Sequence, residues 1–346
     1  MSKSAMKGAI KYAIAVVLLV FVVAMNWTGL KDMFSREPNL PPFFAAFAIA
    51  VGCAAIQFYR WYLLVTALGL PFTMRNAIRL GLVGTFYNTF LPGSVGGDFV
   101  KAYFIAKGQP ERKAAAVATV VADRLVGLFG LILFAAAVGG GCWAMGSEQI
   151  ANNPKLQGIV WVCIGLATAA VVGYVGLGVL SQERADRFAG RLKGLKKVGP
   201  TLAELWYTVW TYRQRPGTIA AVVAMSAVVH TGFVTIFHLC VQVFPPEDPT
   251  LIGSLPEHFV IIPIGYIVQA LIPVPGGLGG GEFTFGGLYK LIRGPGGEAV
   301  GVAGRLTMRV IEGTIGLIGY IAYLRMKDEL PAEAVEEKPD AEPVTV

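Results

Sequence analysis

Charge is scarce in this sequence: only 15% of its 346 residues are Asp, Glu, Lys or Arg, while 55% are hydrophobic. That balance excludes an ordinary water-soluble domain. Cysteine and histidine are scarcer still, at 4 and 3 residues. Cys53, Cys142, Cys163 and Cys240 stand singly in apolar sequence without CxxC or other metal-ligand spacing, which leaves them as small core residues rather than zinc ligands or redox groups. His230 and His238 share one apolar run with no further ligand nearby, a pattern that favours hydrogen bonds inside a helix bundle over metal. There is no serine elbow, no Walker-type phosphate loop and no hydrophilic stretch long enough for a synthase domain. No catalytic residues, metal or cofactor are therefore expected. The net charge of +7 does not point to nucleic acid, because the bases flank apolar runs, where they set membrane orientation.

What the chain has in quantity is long apolar sequence. Residues 9–27, 43–64, 125–144 and 159–180 approach or exceed the ~20 residues that cross a hydrocarbon core. The expected fold is an all-α polytopic membrane protein. Lys3, Lys7 and Lys11 precede the first run; the run is long for a signal core and Asn26-Trp27-Thr28 is no small-x-small cleavage site, so it reads as a retained helix with its amino terminus cytoplasmic. Following the Lys/Arg bias along the chain gives six full crossings, at 9–27, 43–64, 114–138, 159–180, 218–244 and 300–324. Arg325 and Lys327 keep the carboxyl end inside as well, as in a bacterial-type inner-membrane protein. Arg60, with Trp61 and Tyr62, is expected at the inner interface. Residues 182–215 carry Arg184, Arg187, Arg191, Lys193, Lys196, Lys197, Arg213 and Arg215 interleaved with Leu192, Leu195, Leu202, Leu205 and Trp206. Such a segment suits anionic lipid headgroups at the cytoplasmic face. The acidic tail 328–346, rich in Glu, Pro and Ala, is expected to be disordered.

Two stretches break the apolar pattern in the same way. Residues 78–107 hold two helical pieces too short to cross, separated by Pro92-Gly93-Ser94-Val95-Gly96-Gly97 and followed by Asp98 and Lys101. Residues 259–292 repeat the device with Pro275-Gly276-Gly277-Leu278-Gly279-Gly280 and then Glu282. Broken backbone at membrane depth is tolerated only where protein or water surrounds it, so each stretch reads as a re-entrant helical hairpin. Behind the first comes Asp123-Arg124, and behind the second Arg309 and Glu312. With 43 glycines in the chain a Gly-Gly match alone means little, but the order proline, glycines, acid, arginine is more specific. Each half is span, span, hairpin, span. An odd number of crossings inverts the second half, which gives two inverted repeats, 1–145 and 146–327.

Hairpin tips would put backbone N–H groups and positive helix ends at mid-membrane, suited to an anionic group; equally, Gly93, Gly96, Gly97, Gly276, Gly277, Gly279 and Gly280 could serve turn geometry and close packing. Asp98 and Glu282 fit either helix caps or functional acids. Lys101 and Arg124 are the stronger candidates for gripping phosphate, with Arg305 and Arg309 their analogues. The alternative is structural ion pairing, of Arg124 with Asp98 or Asp123, and of the second-half arginines with Glu312, since Arg305, Arg309 and Glu312 share a helix face. Asn88, four residues before Pro92, is placed to bond backbone freed by the break.

On NTFLPGSVGGDFVKAY (88–103), ADRLVGL (122–128) and PVPGGLGGGE (273–282), the chain resembles the lysylphosphatidylglycerol synthase transmembrane-region family, also called the flippase-like domain family, over all but the tail. The resemblance implies a lipid flippase module, as in the membrane half of the multiple peptide resistance factor, which moves aminoacylated phosphatidylglycerol to the outer leaflet. The aminoacyl-transfer domain has no counterpart in this sequence. The expectation is a transporter of a phosphate-bearing lipid; the alternative is a membrane enzyme, or an accessory partner of a lipid-modifying or glycosyl-transferring enzyme.

Overall fold

The computed structural model describes residues 3–90, 96–195, 199–271 and 277–326. Among them there is no strand. The helices in chain order are α1 (Lys3–Met25), α2 (Trp27–Ser35), α3 (Leu40–Ala67), α4 (Met74–Phe90), α5 (Gly96–Lys107), α6 (Lys113–Ala144), α7 (Glu148–Ala151), α8 (Pro154–Val179), α9 (Gln182–Lys193), α10 (Gly199–Arg213), α11 (Pro216–Cys240), α12 (Leu255–Leu271), α13 (Gly280–Arg293) and α14 (Gly297–Met326). The expected breaks at Pro92, Gly93, Pro275 and Gly276, and the tail 328–346, lie outside the described residues, as do Lys196 and Lys197.

Helix ends follow local chemistry. α3 and α11 carry proline in their first turn, where the missing N–H has no intrahelical partner to lose. α6 stops at Gly146, whose φ of 82° lets the Ser147 N–H reach back 3.0 Å to the Cys142 carbonyl, a left-handed termination. α1 and α2 meet at Asn26 with a bend of 76°. The Asn26 amide there donates to the Val22 carbonyl at 2.9 Å, competing with the backbone ladder.

Among the described residues α3, α6, α8 and α11 are long and apolar enough to cross a membrane, and α1 with α2 would add one bent span, against the six crossings expected from the sequence. The sixth, at 300–324, does form a long helix, α14, but Arg305, Arg309 and Glu312 interrupt its apolar character. Apolar side chains lie exposed around the bundle: Val17, Val20 and Phe21 on α1, Trp161, Val162, Val172, Val175 and Val179 on α8, Leu317 and Ile321 on α14. In water such a surface would mark a docking site or an aggregation hazard. On a multi-pass membrane protein it faces lipid.

Inside, α3 lies along α11, and the arms of each interrupted segment pack together, α4 with α5 and α12 with α13. Each first arm also packs on the long helix that follows the other pair: α4 on α14, and α12 on α6. One core gathers Phe237, Ile262, Phe285, Tyr289 and Val302; a second gathers Trp61, Leu64, Leu80, Val120 and Tyr212. The basic segment is two helices rather than one flat stretch. α9 and α10 pack on each other, with the Trp206 indole donating to the Ala185 carbonyl at 3.1 Å and the Trp210 indole to Gln182 Oε1 at 2.9 Å. Arg184, Arg187 and Arg191 remain exposed. The pair is fastened to the bundle by Glu204, which accepts the Ala115 N–H at 2.9 Å and so caps the positive end of α6.

Candidate functional site

The first break is closed by an amide. Asn88 Oδ1, on the last turn of α4, accepts the Gly97 N–H at 2.8 Å, the structural role its position suggested. A Cβ on Gly97 would overlap the Gly84 carbonyl, so only glycine lets α4 and α5 approach this closely. Opposite Gly97, the aliphatic stem of Lys101 passes over Gly84, where a side chain would displace it.

Charged side chains converge at this point from three helices. Asp98, in the first turn of α5, is paired with Arg124 Nε of α6. Lys101 Nζ lies 4.0 Å from Asp98 Oδ1 and 4.0 Å from Asp123 Oδ2, and 4.3 Å above the Trp61 ring. Arg60 of α3 donates from Nε to Asp123 Oδ1 at 2.8 Å and from a terminal nitrogen to Ser226 Oγ of α11 at 2.9 Å. Trp61 is fixed in turn by donating to Thr119 Oγ1 at 3.2 Å. The cluster therefore contains three cations and two carboxylates, with Arg60, Asp98 and Asp123 buried. Lys101 makes ion-pair and cation–π contacts but no hydrogen bond among the described residues.

The second cluster has the same plan. Glu282, in the first turn of α13, is fully buried and paired with Arg309 of α14; Arg309 also donates to Glu282 Oε2 at 3.1 Å and to the Gly277 carbonyl at 2.6 Å. In both clusters the acid opens the second arm, and its arginine lies 26 or 27 residues further on. Gly279, with φ 74°, turns the chain into α13. Arg305, 1% exposed, gives both terminal nitrogens to Glu312 at 3.1 Å. Its Nε and Gln269 Oε1 are buried without a hydrogen-bond partner among the described residues, and a Cβ on Gly281 would stand 2.9 Å from each. Here two cations meet two carboxylates, so the clusters differ in charge although alike in plan.

All eight charged candidates thus fall into these two clusters: Asp98, Lys101, Asp123 and Arg124 in the first, Glu282, Arg305, Arg309 and Glu312 in the second. Of the ion pairs weighed from the sequence, Arg124 with Asp98 and Arg305 with Glu312 form, while Arg309 pairs with Glu282. Gly96 begins α5 and Gly280 begins α13. Arg60 is buried in the bundle, bonded to Asp123 and Ser226. A lone arginine in a 28-residue apolar helix was itself the signal, since an intramembrane charge implies a partner. Gln269 and Trp61 carried no such signal. His230 does hydrogen-bond within the bundle, its Nε2 donating to the Gly127 carbonyl at 3.1 Å. Among the described residues no group of His, Cys, Asp and Glu is arranged to hold a metal.

The sequence matches the family model described as lysylphosphatidylglycerol synthase TM region over residues 8–318. Two archaeal relatives are similar to it. A UPF0104 membrane protein of Methanothermobacter thermautotrophicus is 22% identical over 336 residues, covering 90% of this chain and 92% of that protein. The UPF0104 membrane protein MJ1595 of Methanocaldococcus jannaschii is 28% identical over 115 residues, 32% of this chain and only 34% of that protein. The chain belongs to the lysylphosphatidylglycerol synthase TM region family.

Proposed function

We propose that this member of the lysylphosphatidylglycerol synthase TM region family moves a phosphate-bearing lipid between leaflets, and does not transform it chemically. The observation that carries the reading is the first cluster, where Arg60, Lys101 and Arg124 outnumber Asp98 and Asp123. Holding a charge at the centre of a membrane helix costs roughly 2.5–3.5 kcal/mol on insertion scales, so a surplus cation there calls for an anion. A headgroup phosphate supplies one, with oxygens for the Lys101 ammonium and the Arg124 fork, while its acyl chains stay in lipid. The lipid named in the family's description is itself phosphate-bearing, which supports the same class.

In this reading α4–α5 and α12–α13 are re-entrant hairpins entering from opposite faces, within inverted repeats 1–145 and 146–327. Their second arms aim positive helix ends at the midplane. The exchange of contacts, α4 on α14 and α12 on α6, supports alternating access by rocking one repeat against the other. The protein sits in the cell inner membrane with both termini cytoplasmic, and the exposed bases of α9 rest on anionic headgroups. The test is binding and turnover measured together: purified protein titrated with a short-chain phosphatidylglycerol, followed through the Trp61 environment and by mass spectrometry of the lipid. Saturable binding that Lys101→Met weakens at least ten-fold, with the lipid recovered intact, supports transport. Recovery of a chemically altered lipid favours a membrane enzyme, and binding indifferent to Lys101 removes the proposed site.

A further inference from the structure

The more deeply buried arginine of the second cluster leaves one donor unused. Arg305 commits both terminal nitrogens to Glu312, and because a guanidinium is planar, that fork also fixes where its Nε–H points. Nε finds no acceptor among the described residues, and Gln269 Oε1 of α12, buried as well, finds no donor. Both atoms lie 2.9 Å from the place a Cβ on Gly281 would take. They are therefore no farther apart than one bridging oxygen can span, at roughly 2.7–3.2 Å from each. Glycine at 281 keeps a side chain out of that space. The hydroxyls one turn away are already used: Thr284 donates to the Gly280 carbonyl at 2.7 Å and Tyr266 to the Met308 sulfur at 3.2 Å.

The Gln269 amide is wedged between two glycines. A Cβ on Gly277, at φ 66°, would stand 2.6 Å from its Nε2, while its Oε1 lies against Gly281. Oε1, the negative end of the amide dipole, faces the guanidinium; turned over, an NH2 group would face the Arg305 N–H. A buried donor and a buried acceptor left apart each forfeit their hydration without return. Together they call for an occupant.

Hydrogen-bond sense and charge decide what that occupant is. It accepts from Arg305 Nε and donates to Gln269 Oε1, and the single atom that does both is a hydroxyl oxygen. An ammonium has no lone pair for Arg305, and an ionised phosphate oxygen has no proton for Gln269. Turning the amide over would offer phosphate a second donor. Its charge would still arrive where Arg305 and Arg309 are already matched by Glu312 and Glu282, and a buried charge without a counter-ion is costly. The first cluster, with its surplus cation, is the place for an anion.

We propose that Arg305 Nε and Gln269 Oε1 form a subsite over Gly281 for one uncharged hydroxyl oxygen, supplied by water or by an alcohol of a lipid headgroup. The headgroup source rests on the transport reading above and narrows its substrate to a phosphate-bearing lipid whose headgroup carries a hydroxyl. The water source does not depend on that reading.

Electron cryo-microscopy of the full-length protein tests this in nanodiscs of phosphatidylcholine, whose headgroup has no hydroxyl, before and after phosphatidylglycerol is added. At a resolution that shows ordered oxygens, one is expected within about 3.2 Å of both Arg305 Nε and Gln269 Oε1. Present before the addition and separate from lipid, it is water; continuous with a headgroup afterwards, it belongs to the lipid. Binding separates the sources again, because short-chain phosphatidylglycerol and phosphatidylethanol carry the same charge and only the first has headgroup hydroxyls. A headgroup source gives phosphatidylglycerol about a ten-fold advantage, the worth of one hydrogen bond, which Gln269→Leu removes while phosphatidylethanol binding holds. A water gives equal affinities. No oxygen at the pair in either map, a direct bond between Gln269 and Arg305, or a phosphate seated between them would overturn the subsite. Phosphatidylglycerol binding untouched by Lys101→Met would instead remove the transport site and leave the oxygen at Gly281 in place.

Discussion

Glu282→Gln is the substitution whose cost the structure fixes most closely. Glu282 is fully buried in the first turn of α13 and meets Arg309, whose side chain is 17% exposed. Removing one partner of a buried pair costs about 3–5 kcal/mol. The glutamine keeps one oxygen for Arg309, which also retains the Gly277 carbonyl, so the expected loss is at the lower end, about 3 kcal/mol. Arg309→Gln should cost a similar amount by stranding Glu282. The double variant strands neither charge, and the coupling should be about 2–3 kcal/mol. Equilibrium unfolding in mixed micelles, followed by far-ultraviolet circular dichroism, measures all four corners of the cycle. The related Arg124→Gln should cost less, about 1 kcal/mol, because Asp98 keeps Lys101 Nζ 4.0 Å from its Oδ1. Strict additivity, or a Glu282→Gln protein within about 0.5 kcal/mol of wild type, would refute the view that this pair locks the second helix pair.

Three more outcomes are expected. Gly97→Ala pushes a methyl into the Gly84 carbonyl and should destabilise the α4–α5 packing by about 3 kcal/mol, whereas Gly52→Ala, with nothing within 4 Å, should be neutral or slightly stabilising; thermal melts of the two variants compare them directly. Ser226→Ala takes one acceptor from buried Arg60 and should cost about 1–3 kcal/mol, read in the same unfolding assay. Glu204→Gln weakens the cap on α6 by about 1 kcal/mol, seen as faster exchange of the Ala115 amide.

The parts that sequence made legible are those set by local composition. Proline and glycine runs bracketed by short apolar pieces located both helix pairs, although each starts a turn early, at Met74 and Leu255 rather than 78 and 259. The acid-then-arginine order picked out both clusters, and Asn88 was placed correctly because its partner is only nine residues away. What stayed hidden depends on contacts between distant segments. The partners of Arg60, Asp123 63 residues away and Ser226 166 away, meet it only in the folded bundle. The bend at Asn26 has neither proline nor glycine to announce it, and 182–215 became two docked helices because Trp206 and Trp210 bond across to α9. His258 had no signal until α11 and α13 supplied His238 and Tyr289 as hydrogen-bond partners.

The most direct measurement of the central claim is leaflet exchange by the purified chain in proteoliposomes, with a headgroup-labelled phosphatidylglycerol quenched from outside by a membrane-impermeant reductant. The account predicts that wild-type protein exposes the inner-leaflet pool well above empty vesicles. Lys101→Met should slow exposure by ten-fold or more while keeping the fold intact by circular dichroism. Exchange no faster than in empty vesicles, or equally fast with Lys101→Met, would contradict it.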